Sequence, residues 1–415
     1  MRTGRGGVDS PPSGSFRLIG LFDAYLSTLG GGENFLAVLA EFFEEEFPSA
    51  KIDIVTYQEN SVPIQAVVER FGVRLGRTQV RTLTPNARGH LSKIRPVQRL
   101  MHEQDVARLS AEYDLFVNIT IFSLAPSRAP ASIYICMFPL DPRPWWLPRD
   151  GLRVPLLAPY TALRRRLYKK WIGSYTLVVA ISEFTRTWIR RFWDLEAEIL
   201  YPPVGTRPEI DLSRKRQSIL CVGRFFPGNH NKRHDVLIDT FARLVREGLT
   251  GWELHLVGGR TQVPGTDEYI DVLTQQAEGL PVTFHIDASS DELAGLLESC
   301  SIFWHATGYG EDESQEPYKL EHFGISTVEA MSHGCVPVVY ACGGQPEIIE
   351  HGRSGFLWTS LDEFRDHTLR LIEDRDLREA SAKHAGERSQ RFNRESFRSS
   401  FRELISRHLR APTTS

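Results

Sequence analysis

The chain has 415 residues, more than one compact core usually organises, so two domains of roughly 200 residues each are expected. Hydrophobic residues make up 41% and charged residues 24%, ordinary for a soluble globular protein, and no apolar run approaches the roughly 18 residues of a membrane-spanning helix. The net charge of −3 is unevenly spread, +5 over residues 1–205 and −8 over the remainder, and no nucleic-acid partner is expected.

From the N-terminus, residues 1–15 are rich in Gly, Ser and Pro without an apolar core. They read as a disordered tail rather than a signal peptide, which points to the cytoplasm. Phe16–Phe22, Lys51–Thr56, Leu115–Ile119, Ser132–Cys136 and Thr176–Ile181 read as strands, with helices over Glu33–Phe47 and Glu183–Phe192. A first domain over 16–205 ends at Tyr201-Pro202-Pro203-Val204-Gly205, and the polar run Thr206–Gln217 reads as a linker. The pattern restarts over 206–390. Strands at Ser218–Val222, Trp252–Val257, Val282–His285, Ile302–His305 and Val336–Tyr340 alternate with helices at Lys232–Glu247, Ser290–Ser299 and Ser326–Ser332. A last helix, Arg394–Leu409, lies in the segment 391–415. Such alternation predicts an α/β fold of two Rossmann-like, doubly wound domains, with ligand bound at the strand ends in a cleft between them.

Cys136, Cys221, Cys300, Cys335 and Cys342 have no CxxC spacing and read as small buried residues. No zinc-site spacing occurs, and His255, His285, His305, His322 and His333 do not form a ligand set, so neither metal nor cofactor is expected. Basic residues concentrate in two stretches. One runs through Arg70, Arg74, Arg77, Arg81, Arg88, Lys93, Arg95, Arg99 and Arg108; the other is Arg164–Arg166 with Lys169 and Lys170, flanked by Tyr168 and Trp171. These suit either a solvated helix face or a peripheral seat on anionic lipid headgroups.

The most informative segment is Glu321-His322-Phe323-Gly324-Ile325-Ser326-Thr327-Val328-Glu329. Gly324 stands where a loop turns into a helix, and Ser326 or Thr327 is placed to cap it. The amides of such a helix tip form a diphosphate site. Glu329, in the first turns, is placed to accept from a ribose diol, and Glu321 to reach hydroxyls of a donor sugar. Gly223-Arg224 closes a strand and Lys232 follows a Gly/Pro/Asn/His-rich loop. Together Arg224 and Lys232 suit a departing diphosphate. Gly30-Gly31-Gly32, between a strand and a helix, allows close approach of a ligand to backbone and does not match the dinucleotide pattern GxGxxG.

These motifs resemble glycosyltransferase family 4, of the GT-B fold. The resemblance runs from the glycines at 30–32 through Ile181-Ser182-Glu183, Tyr201-Pro202-Pro203-Val204, Val222-Gly223-Arg224 with Lys232, Trp304-His305-Ala306 and Glu321–Glu329 to Gly343-Gly344. The Glu321–Ile325 stretch is similar to that of enzymes using GDP-mannose, including dolichol-linked α-1,2-mannosyltransferases. The resemblance implies a retaining, metal-independent hexosyltransferase, with GDP-mannose and mannose favoured and a glycan or lipid-linked acceptor in cell-surface polysaccharide synthesis. It implies Arg224 and Lys232 on the donor phosphates, Glu321 on the transferred sugar and Glu329 on the ribose. Gly31, Gly32, Gly223, Phe323, Gly324, Ile325 and Ser326 would complete the donor site, and the final helix would pack on the first domain. One departure is the segment Tyr134–Pro139, where Cys136 or Met137 stands in place of the family's usual His. That departure leaves two alternatives: a UDP-sugar-dependent enzyme of the same fold, or a nucleotide-sugar-binding protein with weakened catalysis.

Overall fold

A computed structural model describes residues 16–28, 30–84, 95–143 and 154–409, with side chains at 95–99 and 154–157 left undescribed. The expected tail at 1–15, and the basic side chains of Arg88, Lys93, Arg95 and Arg99, lie outside what is described. The chain forms two compact units. One comprises residues 1–181, 185–201 and 397–415, and the other residues 182–184 and 202–396.

In chain order the first unit carries β1 (Leu18–Phe22), α1 (Gly31–Glu46), β2 (Lys51–Tyr57), α2 (Ile64–Phe71), β3 (Gln79–Leu83), α3 (Arg95–Ser110), β4 (Leu115–Asn118), β5 (Ala131–Cys136), α4 (Val154–Ile172), β6 (Leu177–Ala180), α5 (Glu183–Trp193) and β7 (Glu198–Ile199). Its seven strands form one sheet in the order β3-β2-β1-β4-β5-β6-β7. Every pairing is parallel. Strands β4, β5 and β6 are buried along their whole length, which is why they read as continuous apolar runs rather than alternating ones. Helix α1 buries Phe35 through Phe43, an apolar stretch wide enough to face neighbours on several sides.

The second unit carries β8 (Arg216–Val222), α6 (His234–Arg246), β9 (Glu253–Gly258), α7 (Thr266–Gln276), β10 (Val282–Ile286), α8 (Ser290–Ser299), β11 (Cys300–His305), α9 (Ile325–Ser332), β12 (Val336–Tyr340), α10 (Gln345–Ile348), β13 (Phe356–Trp358), α11 (Leu361–Glu373) and α12 (Arg375–Ser389). Its six parallel strands run β10-β9-β8-β11-β12-β13. Trp304, Trp358 and Phe364 are fully buried in its core, the last two stacked at 4.5 Å. Both sheets reverse their order of winding beside the first strand, the arrangement in which an open α/β sheet has its ligand crevice at the strand C-termini.

The last helix, α13 (Arg394–His408), begins in the second unit and from Phe397 onward is part of the first. There Phe401 packs against Phe42 and Phe43, with ring centroids at 5.0 and 5.7 Å, and Arg398 bonds the buried Glu41 at 2.6 Å.

Several boundaries differ from the sequence expectation. Helix α1 starts at Gly31 rather than Glu33, so two of the three glycines are helical. The polar run after the Pro-Pro pair is not all linker, because β8 begins at Arg216. Helix α6 starts at His234, which leaves Lys232 in the preceding loop. Helices α11 and α12 escape the apolar pattern because they are charge-rich and bury only narrow faces. That of α12 is made of Ser381, Ala382, Ala385 and Gly386, and a Cβ on Gly386 would collide with Ile210.

Candidate active site

In the second unit the winding reverses between β8 and β11, so the segments that follow these two strands meet at one place. Gly223 follows β8, and a Cβ there would lie 2.6 Å from Lys232 Cγ; only glycine leaves room for the lysine stem. His305 ends β11 and is 1% exposed. Glu321 lies on the loop before α9.

Lys232 Nζ donates to Glu321 Oε2 at 2.6 Å, and His305 Nε2 lies 3.0 Å from the same oxygen. His230 Nε2 is 3.3 Å from Lys232 Nζ and 3.7 Å from Glu321 Oε2. Burial pushes the Glu321 carboxyl upward, but Lys232, followed by His230 and His305, outweighs it and holds the group well below its ordinary range. Glu321 is therefore a carboxylate at neutral pH. Burial, reinforced by Lys232, holds His230 well below the usual imidazole range. Burial likewise lowers His305, opposed by its bond to Glu321, and brings His322 down to about 4. The site thus sets one anion against one cation, ringed by neutral imidazoles.

The loop from Glu321 to α9 is fixed by glycines. A Cβ on Gly343 (φ 58°) would overlap the Glu321 carbonyl, and one on Gly344 would lie 2.7 Å from Phe323 Cα. Gly344 N donates to Glu321 O at 2.8 Å. Gly324 is the N-cap of α9, at φ 123°, and no side chain caps the helix. This corrects the capping role expected of Ser326 or Thr327. Both lie inside the helix, and the Thr327 hydroxyl accepts instead from Gln345 Nε2 at 3.0 Å. The uncapped tip leaves first-turn amides for an anionic ligand. Ile325, Ser326 and Glu329 are half-buried along α9, while Phe323 is buried against Phe392.

Arg224 is exposed and makes no ion pair with any described residue. Lys232, assigned from sequence to the same task as Arg224, is paired with Glu321. Gly31 and Gly32 belong to the first unit, in the first turn of α1, where Gly30 N donates to Glu33 Oε2 at 2.6 Å. Burial and then Glu33 raise the neighbouring Asp23 carboxyl to about 7, a pairing that sequence reading misses. Ser182 Oγ donates to His322 O at 2.6 Å, and Glu347 accepts the amides of Glu183 and Phe184 at 2.8 and 2.9 Å. Met137 lies within van der Waals reach of a Cβ built on Gly32, at 3.7 Å. All five cysteines are buried and free. Among the described residues no group of three or more His, Cys, Asp or Glu is placed to hold a metal ion. The sequence offered His305 as the polar end of an apolar strand and, within Trp304-His305-Ala306, as part of the family resemblance, with no role assigned to it. Its role depends on Glu321, brought to it by the fold.

Residues 206–388 match the family model "Glycosyl transferases group 1". A GDP-Man:Man(3)GlcNAc(2)-PP-Dol alpha-1,2-mannosyltransferase of Dictyostelium discoideum is 27% identical over 256 residues, 56% of this chain and 48% of that protein. A GDP-mannose-dependent alpha-(1-6)-phosphatidylinositol monomannoside mannosyltransferase of Mycobacterium tuberculosis is 26% identical over 229 residues, 49% of this chain and 55% of that one. The chain thus spans about half the length of the curated relatives it matches. Among solved structures, Anabaena Alr3699/HepE in complex with UDP and glucose superposes with a TM-score of 0.66 at 20% identity, over 94% of this chain and 99% of that one. The sucrose-phosphate synthase of Thermosynechococcus elongatus gives 0.65 at 17% identity, over 94% and 98%. The architecture is therefore the expected α/β GT-B fold, and the family match and the mannosyltransferase relatives support a glycosyltransferase.

Proposed function

We propose that the protein is a retaining glycosyltransferase of the family 4 type, which moves a hexose from a nucleotide-sugar donor to a glycan or lipid-linked acceptor. GDP-mannose is the favoured donor. The observation that carries this reading is the part-buried Glu321–Lys232 pair, its carboxylate three residues ahead of the uncapped tip of α9, within the segment that matches group 1 glycosyl transferases. The relatives that act with GDP-mannose support the choice of sugar.

In this mechanism Gly223, Phe323, Gly324, Ile325 and Ser326 shape the donor-phosphate site, and Glu329 accepts from the ribose. The bond between the anomeric carbon and the diphosphate oxygen breaks, and its electron pair goes to the diphosphate. Arg224, Lys232 and the α9 amides take up that charge through groups already oriented before the bond breaks. The acceptor oxygen bonds the anomeric carbon on the face the diphosphate leaves, and its proton passes to the departing phosphate oxygen. Glu321 holds the sugar by accepting from its hydroxyls. No step is assigned to a metal or cofactor.

Cell-surface polysaccharide synthesis at the inner face of the membrane is the proposed setting. No helix among the described residues is long and apolar enough to cross a membrane. Helix α4 exposes Tyr160, Leu163 and Leu167 beside exposed Arg165, Arg166, Lys169 and Lys170, a composition suited to anionic headgroups. Tyr168, which the sequence marks as a flanking aromatic, is buried and takes no part in that surface.

A thermal-shift series with GDP, UDP, ADP and TDP tests the donor, because the nucleotide that binds the folded state raises its melting temperature by mass action. Stabilisation by GDP, transfer from GDP-mannose, and a loss of at least about tenfold in turnover for Arg224→Ala are expected. Stabilisation by none of the four nucleotides, or unchanged turnover in Arg224→Ala, would refute the proposal.

A further inference from the structure

His305, Gln345 and Thr327 join the Glu321 loop to the first turn of α9, and the mechanism above uses none of them. A carboxylate only accepts, so the 3.0 Å contact between His305 Nε2 and Glu321 Oε2 requires the ring proton on Nε2. The other nitrogen, Nδ1, is then an acceptor, and it faces Gln345 Nε2 at 3.5 Å. The same amide donates to Thr327 Oγ1 at 3.0 Å. Gln345 is fully buried and fills the space under the helix tip; a Cβ on Gly324 would lie 2.8 Å from its Nε2. Gln345 therefore braces the ring that holds Glu321 against the helix whose amides face the phosphates.

We propose that His305, held by Gln345, is a positioning residue that keeps the Glu321 carboxylate on the transferred sugar when Lys232 turns to the donor's diphosphate. The inference rests on the donor-site reading above. Lys232 and Glu321 pair at 2.6 Å. For Lys232 to serve the phosphates this pair must loosen, and a buried carboxylate without its cation would otherwise swing or take up a proton. His305 prevents both. It is a donor kept neutral by burial, so the diphosphate does not draw it away. Thr307 Oγ1, 3.1 Å from Nε2, supports the same edge of the ring. His230 cannot replace it, because at 3.7 Å its Nε2 is too far from Glu321 for a hydrogen bond.

The test compares GDP with GDP-mannose on the full chain by calorimetry, together with donor turnover. His305→Leu fills the space without a donor, and His305→Gln carries an amide N–H toward the place of Nε2. His305→Leu is expected to weaken GDP-mannose by roughly 10–100-fold while GDP stays within about twofold, the loss of one hydrogen bond to a charged group. His305→Gln is expected to recover most of that loss. Should His305→Leu fail to fold, Gln345→Leu leaves the ring in place but unbraced and should narrow the GDP-mannose preference by roughly 3–10-fold. An unchanged preference in these variants, or equal loss of GDP and GDP-mannose in both His305 variants, overturns the proposal alone. A wild-type chain that binds neither compound sinks the donor reading itself.

Discussion

Replacing Lys232 by Met leaves Glu321 buried with its cation gone while the stem volume is kept. The pair is 13% and 12% exposed, so solvent does little to relieve the stranded charge. Breaking a buried ion pair from one side costs about 3–5 kcal/mol, and His305 still donates to Glu321, which places the cost near 3 kcal/mol. For a unit of this size that lowers the melting temperature by about 6–12 °C. The pH dependence should flatten as well. In the wild type the Glu321 carboxyl lies below its unfolded value. Its stabilisation is complete above about pH 4.3 and is lost as pH falls through the folded value. In Lys232→Met the largest lowering influence is gone and the folded value moves back toward the unfolded one, so the variant loses less stability than the wild type as pH falls below about 4.3. Lys232→Met/Glu321→Gln removes both charges and should return to within about 1 kcal/mol of the wild type, since a neutral buried pair avoids most of the desolvation cost. The double variant should still transfer no sugar. Thermal melts from about pH 3.5 to 7 on the three chains provide the assay. A Lys232→Met protein as stable as the wild type, or a double variant no better than the single, would refute the electrostatic account of this site.

Two further predictions concern the surroundings. Gly343→Ala puts a methyl into the Glu321 carbonyl at a left-handed φ of 58°, so transfer should fall together with a stability loss of at least about 1–2 kcal/mol by urea titration. An unchanged donor affinity would show that the loop is not held as described. His234 is fully buried and stacked on Phe225 at 4.7 Å, and burial, then Lys232, brings it down to about 3. Its folded value lies below the unfolded one near 6.5, so the unfolded chain takes up the proton first as pH falls. Stability is then lost below about pH 6.5, by roughly 2 kcal/mol at pH 5. His234→Phe should flatten that slope by a similar amount in urea midpoints at pH 7 and 5, and an unaltered slope would count against a buried neutral imidazole.

Much of the fold is legible in the residues for a physical reason. Strands covered on both faces have no polar alternation, so Leu115–Asn118, Ala131–Cys136 and Cys300–His305 stand out as apolar runs of strand length. Elements that bury little are less visible. The edge strand Gln79–Leu83 has no fully buried residue, and α12 packs through Ala and Gly, whose use lies in close approach rather than hydrophobicity. The candidate site divides in the same way. Glu321, Gly324 and Glu329 are near neighbours in sequence and share one loop-to-helix signal. The partners of Glu321 are not near: Lys232 is 89 positions away and His305 is 16.

What joins those distant residues is the strand order. β8 lies beside β11 although β9 and β10 come between them in the chain, because the sheet winds outward one way and then returns to its first strand. The loops after β8 and β11 are therefore neighbours. A lysine from the first of these loops and the histidine that ends β11 reach the same carboxylate, which the glycine pair at 343–344 holds by its carbonyl. Composition and spacing identify which groups could bind a phosphate or a sugar hydroxyl. The parallel pairing of β8 with β11 determines that the cation suited to the one lies against the anion suited to the other.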